Sequence, residues 1–98
     1  MLGFFQCLTS VGDVINVAGT LVPDVSGDYE YDSDYLGVRA FKLTTGDYYL
    51  WYTSGSDTWT ISAVIGTPGT AYWTKVGNIW GVYAPGGTAT GDATITST

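Results

Sequence analysis

The sequence predicts an all-β domain: a single small antiparallel β-sandwich or barrel of about seven to eight short strands. Three observations carry this. Short runs rich in β-branched and aromatic residues recur, with turn signals about every 8–12 residues between them. Fourteen glycines and fifteen threonines suit turns that need positive φ and strand faces that meet water. From residue 14 onward the 3.6-residue periodicity of a helix is nearly absent.

The elements follow in order. Val14–Val17 is β-branched and stops before Gly19. Asp28–Asp32 alternates acid and aromatic, which sends carboxylates to one face and the rings of Tyr29 and Tyr31 to the other. Val38–Leu43 alternates again, with Phe41 and Leu43 together, and Thr44–Asp47 is a hairpin connection into Tyr48–Tyr52. Ser54–Asp57 turns the chain once more. Thr58–Ile65 then places Trp59, Ile61, Ala63 and Ile65 on one face and Thr58, Thr60 and Ser62 on the other. Gly66–Gly69 is a loop before Ala71–Val76, and Gly77–Asn78 a turn before Ile79–Tyr83. Ala84–Gly87 reads as a turn, and Ala93–Thr96 as the last strand.

The domain so defined spans 14–98, and residues 1–13 stand apart as an apolar N-terminal arm or flap. Phe4, Phe5, Leu8 and Val11 fall near one helical face, although Gly12 weakens a helix there. These side chains either complete the domain's own core or reach into a neighbouring subunit. The segment lacks the positive start of a signal peptide, because Arg39 is the first cation of the chain. The longest uncharged stretch, Thr58–Thr74, is broken by Gly66, Pro68 and Gly69 and is too rich in hydroxyls for a membrane span. A lone cysteine, Cys7, permits no intrachain disulfide, so the chain is expected to be made and folded in cytoplasm.

Composition narrows the function. At 45% apolar and 15% aromatic residues, 98 residues can fold as one domain, but such a chain covers only about 60–65% of its unfolded surface. A net charge of −6 with three cations argues against nucleic acid and against an anionic membrane surface. With no histidine, histidine-based triads and metal sites are excluded. Asp24, Asp28, Glu30, Asp32 and Asp34 put five carboxylates in eleven residues. Asp28, Glu30, Asp32 and Asp34 are therefore weak candidates for a hard cation, which takes oxygen ligands. They lack the glycine placement and distal glutamate of an EF-hand, and a solvated strand face explains them more simply. No catalytic residue is assigned and no cofactor is expected. Gly86–Gly91 only superficially looks like a phosphate loop, since it lacks the Gly-Lys-Ser/Thr ending and a following helix. Of the four tryptophans, Trp59 and Trp51 are expected in the core, and Trp73 and Trp80, near strand ends, are expected to be exposed for a partner or a glycan.

Several pieces stand in order: Ile15–Gly19, Val25–Tyr29, Tyr48–Tyr52, Trp59–Ser62, Tyr72–Trp73 and Gly81–Gly91. This run, covering roughly residues 14–97, resembles a small Gly/Tyr/Trp-rich β module that recurs in phage structural proteins such as fibres and head-surface decoration or cement proteins. Gly27/Tyr29 and Gly81/Tyr83 suggest two related bends, each with a glycine at the bend and a tyrosine hydroxyl reaching a backbone partner. No catalytic residues come with the resemblance. It implies a non-enzymatic virion protein, a capsid decoration or cement protein that stabilises the phage head from the virion surface. The expected partners are the major capsid protein and further copies of the chain, with a homotrimer as the expected assembly. Leu2, Phe4, Phe5 and Leu8, with Trp73 or Trp80, are the expected interface anchors. The alternative is a carbohydrate-binding or host-adhesion module of a phage fibre.

Overall fold

Alternation along each strand decides which side chains fill the interior, and the strands close around them. A computed structural model describes residues 14–97. Leu2, Phe4, Phe5 and Leu8 of the arm or flap lie outside the described residues. The described chain is all-β, without a helix. Its eight strands are β1 (Val14–Ala18), β2 (Gly27–Tyr35), β3 (Val38–Leu43), β4 (Tyr49–Thr53), β5 (Thr58–Ser62), β6 (Ala71–Val76), β7 (Gly81–Gly87) and β8 (Ala93–Ser97). Each pairs antiparallel with its sequence neighbours. β8 returns to β1 with Ile15 opposite Ser97 and Val17 opposite Ile95, so the sheet is a closed up-and-down barrel.

An eight-stranded barrel has an interior just wide enough for side chains to fill. Here Ile15, Val17, Tyr29, Phe41, Leu43, Leu50, Ile61, Trp73, Tyr83, Ala93 and Ile95 fill it, drawn from all eight strands. Leu21 and Val25 from the β1–β2 connection and Ala89 from the β7–β8 connection join them. Strand alternation brings those two connections to the same end. They pair there through Val22 N–H donating to Thr90 O at 3.1 Å and Thr90 N–H donating to Val22 O at 2.9 Å. Gly91 makes this junction possible. Its φ is +88°, and a Cβ would fall 2.1 Å from the carbonyl oxygen of Thr20. Gly91→Ala is therefore expected to destabilise the fold by about 1–3 kcal/mol, read as a lower urea midpoint at unchanged slope.

The two Gly-x-Tyr segments form matching corners, one at each end of the barrel. Gly27 has φ +133° and Gly81 φ +121°, and each starts a strand whose third residue is an inward tyrosine. The Tyr29 hydroxyl donates to Val25 O at 2.7 Å, and the Tyr83 hydroxyl donates to Ile79 O at 2.8 Å. In both corners a ring fills the interior while its hydroxyl donates to a carbonyl four residues back, at the bend. Burial raises the pKa of both hydroxyls well beyond the ordinary tyrosine range; for Tyr29, Tyr48 and Asp24 add smaller contributions in the same direction.

Several strand-level expectations are corrected. β2 continues to Tyr35 through an irregularity between Tyr31 and Ser33, so the alternation breaks and Tyr31 is exposed rather than packed inside. Its hydroxyl instead donates to Asp34 at 2.9 Å. β5 stops at Ser62 rather than Ile65, and Thr60 and Ser62, on the face opposite Trp59 and Ile61, are buried as well. Ala84–Gly87 is strand rather than turn. Pro85 is tolerated because the pairing of β7 with β8 covers only Gly81–Tyr83, so no ladder bond to β8 is lost there.

The burial of Trp51 has a separate cause. It is buried as expected, but outside the barrel core, under Tyr35, whose ring meets it edge-on at 5.6 Å. The connection after β5 folds back over this face, placing Gly66 against the Tyr35 ring. Trp51 Nε1–H donates to Ser62 Oγ at 2.9 Å, and Ser62 Oγ–H donates onward to Val64 O at 2.8 Å, so the buried polar atoms are paired.

Candidate functional site

With the interior filled by side chains, the surface open to another molecule is the outside of this barrel. The distinctive outer feature is built by the β6–β7 turn. Lys75 Nζ donates to Asn78 O at 2.8 Å, and Asn78 Oδ1 accepts the backbone N–H of Trp80 at 2.9 Å. Gly77 N–H donates to Asp57 O at 2.9 Å and fastens this turn to the β4–β5 turn beside it. The turn is thus fixed from within. Trp80 sits just before the positive-φ Gly81 and, at 37% relative exposure, carries its indole at the surface.

Trp80, Gly81, Thr94, Ile95, Thr96 and Ser97 line an open groove of about 430 Å³. None of these side chains is charged, in a protein whose net charge is −6. Val82, directly opposite Thr94 in the sheet, and Val76 at the end of β6 are also exposed. Chemically this is an apolar surface edged by hydroxyls. It can bury hydrocarbon and accept or donate a few neutral hydrogen bonds.

The expected site residues separate on this structure. Trp80 is exposed, as anticipated. Trp73 is not: its relative exposure is 0%, and its Nε1–H donates to Gly91 O at 2.8 Å, so it is a core residue and not a surface contact. Trp59, expected in the core, is partly buried against it, with Tyr52 5.1 Å away.

The acidic candidates disperse along β2. Asp28 accepts from Asn16 Nδ2 at 3.1 Å across the β1–β2 pair, Asp32 accepts from Ser33 Oγ at 2.9 Å, and Asp34 accepts from Tyr31. Among the described residues no three acidic, cysteine or histidine side chains gather as a cation site, and Asp28, Glu30, Asp32 and Asp34 form no shell. Asp24 holds a turn, accepting from Ser26 N–H at 3.1 Å and Ser26 Oγ at 2.6 Å, and these bonds lower its pKa. Hydrogen bonds to Asp34 and Asp57 likewise raise the pKa of Tyr31 and Tyr52.

The three cations also act locally. Arg39 lies 5.2 Å from the Tyr31 ring centroid, Lys42 Nζ donates to Gly46 O at 3.0 Å, and Lys75 fastens the turn before Trp80. Sequence reasoning did not anticipate the groove, since it depends on β7 and β8 lying side by side. Its only local signal is a tryptophan immediately before a Gly-x-Tyr corner. Compared with known proteins, the chain matches no family model, no curated protein and no solved structure.

Proposed function

We propose that the protein is a non-enzymatic structural component of a phage particle: a decoration or cement protein on the head surface, binding the major capsid protein and further copies of itself, with a trimer as the assembly. The observation that carries this reading is the exposure of three large apolar side chains, Val76, Trp80 and Val82, at and beside the β6–β7 turn of a chain whose net charge is −6. Exposed apolar surface of this kind favours a protein partner over bulk water. A standard interface takes about 800 Å² per partner, and many modest contacts add up on a shell that presents many equivalent sites. The resemblance of residues 14–97 to a β module of phage fibres and head-surface proteins supports a phage structural role without choosing between the two.

The double substitution Val76→Glu and Val82→Glu tests it, because both side chains point to solvent and neither belongs to the core. Sedimentation of wild-type protein is expected to show an oligomer, and the double variant a folded monomer that melts lower only by the contribution of the lost assembly. A wild-type chain that stays monomeric at all concentrations and does not pellet with decoration-free heads contradicts the reading. A second reading, glycan contact in a fibre or adhesion module, is favoured by one feature: the Trp80 indole beside the hydroxyls of Thr94, Thr96 and Ser97. Quenching of Trp80 fluorescence by added sugars, lost in Trp80→Ala, would select it instead.

A further inference from the structure

We propose that a recess on the outer face of β2 and β4 receives an arginine side chain of another protein, its guanidinium set between the Asp32 carboxylate and the Tyr49 ring. The recess measures about 310 Å³ and is lined by Asp32, Tyr49, Ala63, Val64 and Ile65, none of which belongs to the groove beside Trp80. Strand alternation supplies its floor: Leu50 faces the barrel interior, so Tyr49 beside it faces out. The irregularity between Tyr31 and Ser33 in β2 sets Asp32 at its edge. The connection after β5 forms the wall, held at Val64 O, which accepts from Ser62 Oγ at 2.8 Å and from Thr67 N–H at 3.3 Å. The site is therefore shaped before any partner arrives.

Its charge is not balanced from within. Lys42 of β3 stands directly opposite Glu30 of β2 and Tyr49 of β4. Its ammonium turns instead to Gly46 O at 3.0 Å and Asp47 at 3.7 Å, and lies 6.0 Å from the Tyr49 ring centroid, the outer limit of a cation–π contact. Among the described residues nothing donates to the Glu30 carboxylate, and Asp32 uses only Oδ2, toward Ser33 Oγ. Glu30, Asp32 and Lys42 line the adjoining recess, where two carboxylates face one ammonium that the β3–β4 turn already engages. A planar guanidinium meets this arrangement in full. It stacks on a tyrosine ring and hydrogen-bonds a carboxylate, while its methylenes cover Val64, which is 58% exposed. A second copy does not supply it, because the three cationic side chains of the chain are engaged: Lys42 and Lys75 by their turns, Arg39 by the Tyr31 ring. The net charge of −6 likewise favours a basic partner over another copy. This contact does not depend on the assembly role above.

Titration of the whole chain with N-acetylarginine methylamide, followed by backbone amide chemical shifts, tests the assignment. Saturable shifts are expected at Asp32, Tyr49, Val64 and Ile65, and they should weaken as salt is raised. The citrulline analogue, of the same shape without the charge, should leave these signals in place, and the lysine analogue should bind more weakly than arginine. Asp32→Asn and Tyr49→Leu should each weaken binding by about two- to fivefold in folded protein, since both side chains lie outside the barrel core. Val76→Glu, Val82→Glu should bind the probe as the wild type does, which separates this recess from the assembly face. Equal binding of arginine and either analogue, shifts spread evenly over the exposed carboxylates, or unweakened binding by Asp32→Asn overturns the inference. So does the absence of any shift at the recess.

Discussion

Trp73→Ala is expected to cost about 3–5 kcal/mol of folding stability, the largest loss of any single substitution considered. The side chain is fully buried in the barrel interior, and no neighbouring element can collapse into the space it would leave without opening a closed sheet. Its indole N–H also donates to Gly91 O in the β7–β8 connection, so truncation removes a tie between β6 and the plugged end of the barrel. A domain of this size has about 5–15 kcal/mol in total, and each kcal/mol shifts Tm by about 4–8 °C. The variant should therefore melt tens of degrees lower or fail to fold at 37 °C. Trp73→Phe should fall between, because it restores most of the ring but leaves Gly91 O without its donor. Trp80→Ala should shift Tm far less, since that ring is partly in water. Calorimetry of the three variants checks the order, and equal losses for Trp73→Ala and Trp80→Ala would refute the assignment of Trp73 to the core.

The double variant Tyr29→Phe, Tyr83→Phe is expected to lose about 2–4 kcal/mol, the larger share at Tyr29. Each hydroxyl donates one hydrogen bond to a carbonyl four residues back, and that bond is buried at Tyr29 and part-buried at Tyr83, where water can replace it more readily. The corners lie at opposite ends of the barrel, so the single losses should add to within about 0.5 kcal/mol.

The same two groups govern alkaline stability. Burial raises their pKa in the folded protein above the value they have in the unfolded chain. Above about pH 10 the unfolded chain releases these two protons while the folded chain keeps them, so stability is intact below that pH and falls as pH rises beyond it. The slope is about 1.4 kcal/mol per pH unit for each tyrosine. Urea melts above pH 10 should show this decline in the wild type and a much shallower one in the double variant. Parallel pH dependence of the two proteins would remove the corners as its cause.

Much of the fold was legible because its signals are local. Every strand carries β-branched or aromatic residues bounded by Gly, Pro, Asn or Asp, and the two Gly-x-Tyr corners announced both the bend and the hydroxyl bond. Closure into a barrel was not separable from a sandwich, because it rests on Ile15 meeting Ser97, partners from opposite ends of the chain. Trp73 was misplaced because Tyr72 and Trp73 are adjacent aromatics in β6, and a period of two says only that they face opposite ways. The roof over Trp51 was invisible for a similar reason: it forms when the connection after Ser62 folds back onto Tyr35, a contact with no signature in either segment. The groove beside Trp80 needs β7 and β8 together, so the candidate site was legible only as a single exposed tryptophan.

The proposed role makes one physical demand above the others: the barrel must hold a phage head together more firmly than the bare shell holds itself. Calorimetry of heads stripped of their decoration, with and without the purified protein, measures this directly. The account predicts a rise in rupture temperature that saturates at a fixed number of copies per capsid and is lost with Val76→Glu, Val82→Glu. A rupture temperature unchanged at saturating protein, with no protein bound to the shell, would contradict it.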